Sequence, residues 1–167
     1  MHRLPPEVAH ELGVFFLRAT LLPAARVPEN PALAVDAMGM TFRHPIGLAA
    51  GFDKNAVAID GILQQGFAFV EAGTVTPRSQ PGNPQPRLFR LTEDEAVINR
   101  MGFNNDGLVA YVRRLARYDR KLGVAGANIG KNRNSADAVS DYVTGMQAVY
   151  ATAGYITVNI SSPNTQG

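Results

Sequence analysis

Cysteine is absent from this chain of 167 residues, and histidine occurs only at positions 2, 10 and 44. The lack of cysteine excludes disulfide bonds, thiolate nucleophiles, cysteine zinc sites and iron–sulfur clusters. None of the three histidines follows an apolar run, so neither Ser–His catalysis nor a histidine metal site has support. Hydroxyl, carboxylate, amide and lysine chemistry remain.

Long apolar runs and a large net charge are also missing. The longest apolar run near the N-terminus covers residues 13–17, far short of the ~20 residues that span a bilayer. Glu7, Glu11 and Arg18 argue against a secretory signal. The net charge of +2 is too small to identify a charged partner. Residues 110–135, with net charge +6, are typical of a solvated helix face rather than of a nucleic-acid surface.

The N-terminal region is predicted to form an amphipathic helix from Glu7 to Leu22. Apolar residues recur there every three or four positions, at Val8, Leu12, Phe15, Ala19 and Leu22. Such a face either docks on its own domain or lies in a membrane interface through Phe15 and Phe16. Periodicity alone favours docking.

Strands and helices alternate after Pro31, and 46% of the chain is hydrophobic. We predict a pair of short strands over 33–37 and 40–42, then strands over 46–50, 67–73, 124–129 and 155–160. Helices are predicted over 56–65, over 107–118, and from an N-cap at Ser135 to Gly154. The Pro- and Gly-rich stretch 77–86 is predicted to be a loop.

This alternation predicts an α/β fold with a parallel sheet, either doubly wound or a β/α barrel. The sequence after the first apolar strand is not the glycine fingerprint of a dinucleotide site, and residues 125–132 do not match a phosphate loop. Both absences favour the barrel. A complete barrel needs about 250 residues, so this chain is too short for one.

Polar residues follow each predicted strand at its C-terminal end. They occur at 51–54, at Thr74, at Asn128 and at 159–165. In the last strand, Ile156, Val158 and Ile160 share one side, whereas Tyr155, Thr157 and Asn159 share the other. Barrel enzymes build their active sites at these strand ends. Neutral amides suit a ligand with imide-like edges, such as a pyrimidine or a flavin.

Six blocks give the chain a resemblance to the quinone-dependent, membrane-associated class of dihydroorotate dehydrogenases, over its N-terminal portion. They are AAGFDK at 49–54, EAGTVTP at 71–77, GNPQPR at 82–87, NRMGFN at 99–104, NIGK at 128–131 and NISSPNT at 159–165. The resemblance implies the (β/α)8 TIM-barrel family, here with about the first four βα units. An N-terminal helical segment precedes them.

The same resemblance implies FMN as cofactor and oxidation of (S)-dihydroorotate to orotate, with a quinone as electron acceptor, in pyrimidine biosynthesis. It assigns catalysis to Ser162. It assigns the cofactor contacts to Ala50, Gly51, Phe52, Asp53, Lys54, Thr74, Asn128 and Asn159. It assigns the substrate contacts to Lys54, Asn99, Arg100, Met101, Gly102, Phe103, Asn159 and Asn164. No metal is implied.

The composition agrees with this class, because the resemblance implies a cysteine at the position of Ser162 in the soluble class and this chain has no cysteine. The resemblance divides the chain into a quinone and membrane segment, 1–36, and half a barrel, 37–167. It shifts the expectation for the first helix toward a quinone entrance at the cytoplasmic side of the cell membrane. Segment 1–36 has net charge −1, so contact with a membrane should be apolar. In the resembling class this segment opens an apolar tunnel to the flavin. His10 and Arg90 either face that tunnel or are an ordinary surface histidine and a loop arginine.

The family's later strands, and the phosphate loops that follow barrel strands seven and eight, have no counterpart in the chain. Four strands leave open edges at the first and the fourth strand. Two other interpretations therefore stay open. The chain is a catalytically inactive half-barrel, or it belongs to another FMN barrel oxidoreductase that acts on pyrimidines.

Overall fold

The computed structural model describes residues 4–28 and 30–160. Its described α-helices are α1 (Pro6–Arg18), α2 (Ile59–Gln64), α3 (Leu108–Leu115) and α4 (Ala138–Val149). Its described strands are β1 (Val35–Ala37), β2 (Met40–Phe42), β3 (Gly47–Leu48), β4 (Phe69–Val75), β5 (Leu88–Leu91), β6 (Ala96–Asn99), β7 (Val124–Ile129) and β8 (Tyr155–Val158).

Four strands form a parallel sheet in the order β3-β4-β7-β8. Their order along the chain is also their order in the sheet, and α2, α3 and α4 lie in the connections between them, so the alternation predicted from the sequence is confirmed. Within the described residues, β3 pairs only with β4 and β8 pairs only with β7. The two open edges expected for half a barrel are therefore present.

Two antiparallel hairpins flank the sheet. The first, β1 with β2, matches the predicted pair of short strands. The second, β5 with β6, lies over 88–99, where no strand was predicted. Every residue of β6 is exposed, so the segment carries no buried alternation that would identify it as a strand.

The hydrophobic core lies between the sheet and its helices. One face of the sheet contributes Val70, Ala72, Ala125, Ala127 and Ile129, which pack against Ile62, Leu63, Tyr111, Leu115 and Val149 of the helical layer. The Tyr111 hydroxyl donates a hydrogen bond to the carbonyl of Ala72 at 2.9 Å. The burial of this phenol raises its pKa above the ordinary value, so Tyr111 stays neutral.

Helix α4 begins two residues after the predicted position. Asp137, not Ser135, is the N-cap: its carboxylate accepts a hydrogen bond from the Ser140 amide at 3.0 Å. The Ser135 hydroxyl instead donates to the carbonyl of Asp137. Both residue types are good caps, and their spacing alone does not distinguish them.

Helix α1 ends at Arg18 and docks through a face other than the one its periodicity indicated. Ala9 and Leu17 are its buried residues. The predicted apolar face stays exposed, with Val8 at 42% and Phe15 at 57% of full exposure. The helix therefore docks and also presents an apolar stripe to the outside. No helix in the described ranges is long and apolar enough to cross a membrane.

The docking of α1 depends on Gly61 in α2. A Cβ atom added to Gly61 would lie 2.0 Å from the Leu17 carbonyl oxygen, which is backbone and cannot move without displacing α1. We expect Gly61→Ala to lower the free energy of unfolding by about 1–3 kcal/mol, measured by urea denaturation.

Gly13→Ala is the matched control, because at this half-buried position of α1 the same added Cβ meets no atom within 4 Å. Replacing a helical glycine there should raise stability by about 0.5–1 kcal/mol. Equal stability of Gly61→Ala and the unsubstituted chain would contradict the close approach of α1 and α2.

Candidate functional site

Three polar side chains meet at the carboxyl edge of the sheet. The Thr74 hydroxyl donates to Asn128 Oδ1 at 2.6 Å, and Asn159 Nδ2 donates to Thr74 Oγ1 at 3.1 Å. These residues follow or end neighbouring strands, β4, β7 and β8, so their contact is a direct result of the strand order. Thr74 and Asn128 are buried, while Asn159 is half-buried.

A register shift in β4 brings Thr74 into this group. Gly73 pairs with Asn128 and Val75 pairs with Ile129, which leaves Thr74 as an extra residue in the ladder. Strict alternation from Glu71 would point Thr74 toward the helices, and the irregularity turns its side chain to the other face. Gly73, at φ +126°, permits this path and leaves room for Asn128, which a Cβ atom would meet at 2.9 Å.

The same face carries a carboxylate that the sequence analysis did not select. Glu71 Oε1 accepts a hydrogen bond from Asn128 Nδ2 at 2.7 Å, and its Oε2 accepts one from the Thr157 hydroxyl at 2.9 Å. Tyr155 is its neighbour; burial, together with the negative charge of Glu71, raises the pKa of Tyr155. The sequence does contain a signal for this site, namely a single acidic residue inside the otherwise apolar strand β4.

The alternation predicted for the last strand is confirmed. Thr157 and Asn159 make their hydrogen bonds on the polar face, to Glu71 and Thr74, whereas Ile156 packs against the hydrophobic core. Gly126 faces Tyr155, whose ring would lie 2.2 Å from an added Cβ atom. One face of the sheet is thus apolar and the other is polar, although Val158 and Ile160 of the apolar side stay exposed at the open edge.

The loop over 50–54 is fixed to the end of β4. The Gly51 amide donates to the Gly73 carbonyl at 2.8 Å, and the Gly73 amide donates to the Asp53 carbonyl at 2.9 Å. The Asp53 carboxylate is 1% exposed and accepts from the amides of Asn55, Val57 and Ala58. The Asp53 carboxylate therefore stabilises the conformation of this loop.

Lys54 lies beside a cavity of about 240 Å³ between this loop and α1, which His10, Arg87 and Met101 also line. Its ammonium group donates to the Gly51 carbonyl at 2.5 Å. Burial, and next the positive charge of Arg87, hold the pKa of Lys54 below its ordinary value. The negative charges of Glu7 and Asp53 offset this lowering only in part.

An ion pair closes the other side of this cavity. Arg87 Nη2 lies 2.6 Å from Glu7 Oε1, and the two side chains are only 10% and 14% exposed. Arg87 also donates to the carbonyls of Pro81 and Asn83. The pair therefore connects α1 to the loop over 77–86.

His10 and Arg90 add two further contacts between the N-terminal segment and the rest of the chain. His10 Nε2 lies 2.7 Å from the Phe52 carbonyl oxygen, and its ring packs edge-on against the Phe52 ring. Arg90 donates to the Leu4 carbonyl at 2.6 Å. His10 lines the cavity beside Lys54, whereas Arg90 holds the segment that precedes α1.

The segment 99–103 runs beside the end of β7. Asn99 Oδ1 accepts from the Met101 amide at 2.9 Å, and Gly102 and Phe103 both have positive φ angles. The Phe103 ring lies next to Gly130, and Met101 is buried. The Arg100 guanidinium instead donates to the Pro86 carbonyl and stacks on Phe89, in the direction of the second hairpin.

Two buried asparagines hold the loops around the site. Asn105 donates to Thr76 Oγ1 and to the Phe103 carbonyl. Asn132 Nδ2 contacts Thr76, Arg78 and Gln80 at 2.9–3.1 Å. Their partners are distant in the chain, so the sequence alone does not identify these two roles.

Ser162 and Asn164 lie outside the described residues. The described part of the chain contains no group of three histidine or acidic side chains that could hold a metal ion.

The Glu7–Arg87 pair makes stability depend on pH. The hydrogen bonds from Arg87 hold the pKa of Glu7 below its ordinary value of 4.5, so the ionised form is favoured in the folded chain. Its stabilisation is present above that value and is lost as the pH falls through the lower pKa of the folded state. We expect Glu7→Gln to lower the free energy of unfolding at pH 7 by about 1.5–3 kcal/mol.

Urea denaturation from pH 7 to pH 3 checks this, and the deficit of Glu7→Gln should shrink toward the acid end. Glu11→Gln, one turn further along the exposed part of α1, is the control and should change stability by less than about 0.5 kcal/mol. A deficit of Glu7→Gln that is constant with pH would contradict the ion pair.

The sequence matches known proteins over nearly its whole length. Residues 32–167 match the profile of the family described as dihydroorotate dehydrogenase. Dihydroorotate dehydrogenase (quinone) of Agrobacterium fabrum is 53% identical over 164 residues, and that of Rhodopseudomonas palustris strain BisA53 is 56% identical over 165 residues. Each match covers 98% of this chain and 45% of the relative.

Solved structures agree in fold. The crystal structure of dihydroorotate dehydrogenase from Eimeria tenella in complex with ferulenol has a TM-score of 0.91 and 44% identity, over 97% of this chain and 45% of that chain. The ligand-free structure from the same organism has the same TM-score, over 47% of its length. The chain thus spans a little under half the length of these relatives. With six motifs, the strand order and the profile in agreement, the chain belongs to the dihydroorotate dehydrogenase family.

Proposed function

We propose that the protein to which these residues belong is an FMN-dependent dehydrogenase that oxidises (S)-dihydroorotate to orotate. A quinone is its electron acceptor, and the reaction serves de novo synthesis of UMP. The observation that carries the proposal is the meeting of Thr74, Asn128 and Asn159 at the carboxyl edge of the sheet. Membership of the family gives this arrangement its chemical meaning.

The residues at this edge fit a flavin. Asn128 and Asn159 offer neutral amides that both donate and accept, which matches the alternating N–H and C=O groups of an isoalloxazine edge. At Gly51, with φ +104°, an added Cβ atom would meet nothing within 4 Å, so a flat ring has open space beside the backbone. FMN, when bound, supplies the hydride acceptor.

Lys54 is proposed to hold the carboxylate of the substrate. It is the cation of the loop over 50–54, and burial and Arg87 lower its pKa more than the negative charges of Glu7 and Asp53 raise it. A bound carboxylate adds a further negative charge and raises the pKa of Lys54 again. The segment 99–103, with Asn159 and Asn164, is proposed to hold the amide edge of the pyrimidine.

Ser162 is proposed as the base that removes the proton at C5 of dihydroorotate while hydride leaves C6. A serine hydroxyl is a weak base at its ordinary pKa, so this transfer needs a partner that accepts the proton, or a C6–H bond that weakens at the same time. The roles of Ala50, Phe52, Asp53 and Thr74 are to shape and close the flavin side of the site.

The N-terminal segment 1–36 is proposed to admit the quinone and to contact the cytoplasmic side of the cell membrane. The exposed stripe of α1, including Leu12, Phe15 and Phe16, supports an apolar contact. His10 and Arg87 place the inner end of α1 at the cavity beside Lys54. Val14 of α1 and Phe52 of the loop over 50–54 line the same cavity, which supports access from α1 to this loop.

A second proposal concerns the isolated chain. The one-sided pairing of β3 and β8 favours a catalytically inactive half-barrel for these 167 residues alone, since both edges expose unpaired backbone groups. A third candidate, another FMN barrel oxidoreductase acting on pyrimidines, differs only in its substrate.

One experiment separates these proposals. The chain is purified with excess FMN, passed over a desalting column, and treated without oxygen with dihydroorotate while its visible spectrum is recorded. Stoichiometric flavin that dihydroorotate bleaches supports the dehydrogenase and contradicts the inactive half-barrel. Bleaching by other dihydropyrimidines and not by dihydroorotate contradicts the proposed substrate. Absence of retained flavin supports the inactive half-barrel.

In the flavin-loaded protein, Lys54→Met should weaken orotate binding about 10- to 100-fold, because a charge-assisted hydrogen bond is lost. Isothermal titration with orotate measures this. Lys121→Met, at an exposed lysine beyond α3, is the matched control and should leave the affinity unchanged. Equal losses in both variants would contradict the role of Lys54.

A further inference from the structure

Glu71 is the acidic side chain that the proposed function leaves without a role. It lies in β4 between Val70 and Ala72, which are both fully buried on the opposite face. Its carboxylate contacts three neutral donors, Asn128, Thr157 and the Tyr155 hydroxyl, and forms no ion pair within the described ranges. A charge placed among neutral donors orients them, because an ionised carboxylate can only accept hydrogen bonds.

The Glu71 carboxylate fixes the orientation of three further side chains, those of Asn128, Thr74 and Asn159, through successive hydrogen bonds. Since Glu71 accepts only, Asn128 must turn its Nδ2 toward Glu71, and its Oδ1 then faces Thr74. Oδ1 accepts the only proton of the Thr74 hydroxyl, so Thr74 Oγ1 is left as an acceptor. Asn159 must therefore turn its Nδ2 toward Thr74, at 3.1 Å.

Asn159 is the last residue in this series of hydrogen bonds. No group in the described part of the protein donates to Asn159 Oδ1, which is half-buried at the end of β8. One carboxylate at the centre of the sheet thus decides which atom of Asn159 is presented at the strand end. Without it, both amides could turn over with hydrogen bonds of equal number.

We infer that Glu71 is a positioning residue, which sets the donor and acceptor directions of Asn128, Thr74 and Asn159 before any ligand binds. This role is a property of the hydrogen bonds within the chain. Its effect on flavin and substrate rests on the proposed function: the carboxyl edge of the sheet offers one fixed pattern of donors and acceptors, and this pattern selects a ligand with the complementary one.

Substitution of Glu71 by Gln tests this with little change in shape. A glutamine presents an oxygen or a nitrogen to Asn128 at similar cost, because Thr157 Oγ1 can accept as well as donate. The fixed direction is thereby lost. We expect the side-chain amide signals of Asn128 and Asn159, measured by NMR on the 15N-labelled chain without flavin, to double or to broaden in Glu71→Gln.

Two further variants separate the effect of the carboxylate on hydrogen-bond direction from the effect of a changed side-chain packing. Thr157→Val removes one hydrogen bond of Glu71 and keeps the carboxylate, so the Asn159 signals should stay as in the unsubstituted chain. The double variant Glu71→Gln with Asn128→Asp moves the carboxylate from position 71 to position 128, the next residue in the series of hydrogen bonds. The carboxylate at position 128 then accepts from the amide at position 71 and from the Thr74 hydroxyl, and a single Asn159 signal set should return.

The inference is overturned if Glu71→Gln leaves the amide signals of Asn128 and Asn159 unchanged, or if Thr157→Val disturbs them as strongly. If Glu71→Gln does not fold, Thr74→Val decides instead. It interrupts the chain after Asn128, so it should change the Asn159 signals and leave those of Asn128 in place; unchanged Asn159 signals would overturn the inference.

A titration with FMN, followed by flavin fluorescence, adds a binding readout. Glu71→Gln should weaken FMN binding about tenfold, whereas Thr157→Val should weaken it by less than about threefold. If the unsubstituted chain binds no FMN, the flavin proposal fails for this chain, and the NMR result still decides the role of Glu71.

Discussion

The parallel alignment of β4, β7 and β8 is the constraint on which the site depends. Because the three strands run in the same direction as neighbours, their carboxyl ends reach one edge together, and the side chains that follow them meet there. Thr74, Asn128 and Asn159 are 54 and 31 residues apart in sequence, yet they form one hydrogen-bonded row. The helices α2, α3 and α4 maintain this alignment by covering only the apolar face.

The polar face shows how a barrel interior can hold charge and amides without loss of order. Each buried polar group in the row has a partner, so the cost of removing it from water is offset. Small residues make this possible: Gly73 leaves space for Asn128, and Gly126 leaves space for Tyr155. A carboxylate without a cation in the described residues, Glu71, completes the row and gives it a direction.

The sequence predicts the parts of this arrangement that depend on repeated local patterns. Strand β7 has the predicted bounds, and the two sides of β8 separate as its alternation indicates. The hairpin over 88–99 was missed because its strands are short and largely exposed. The position of Thr74 could not be read from alternation, since the irregularity after Gly73 reverses the side that Thr74 faces. The docked face of α1 was also missed, because a backbone contact at Gly61, rather than a large apolar stripe, determines it.

FMN is proposed to bind at the carboxyl edge of the sheet, and NMR mapping locates the bound flavin. The 15N-labelled chain is titrated with FMN, and the shifts of its backbone amides are followed. We expect the largest changes at Gly51, Thr74, Asn128 and Asn159. Changes concentrated at the amino ends of the strands, at Phe69, Val124 and Tyr155, or no change at the carboxyl edge, would contradict this proposal.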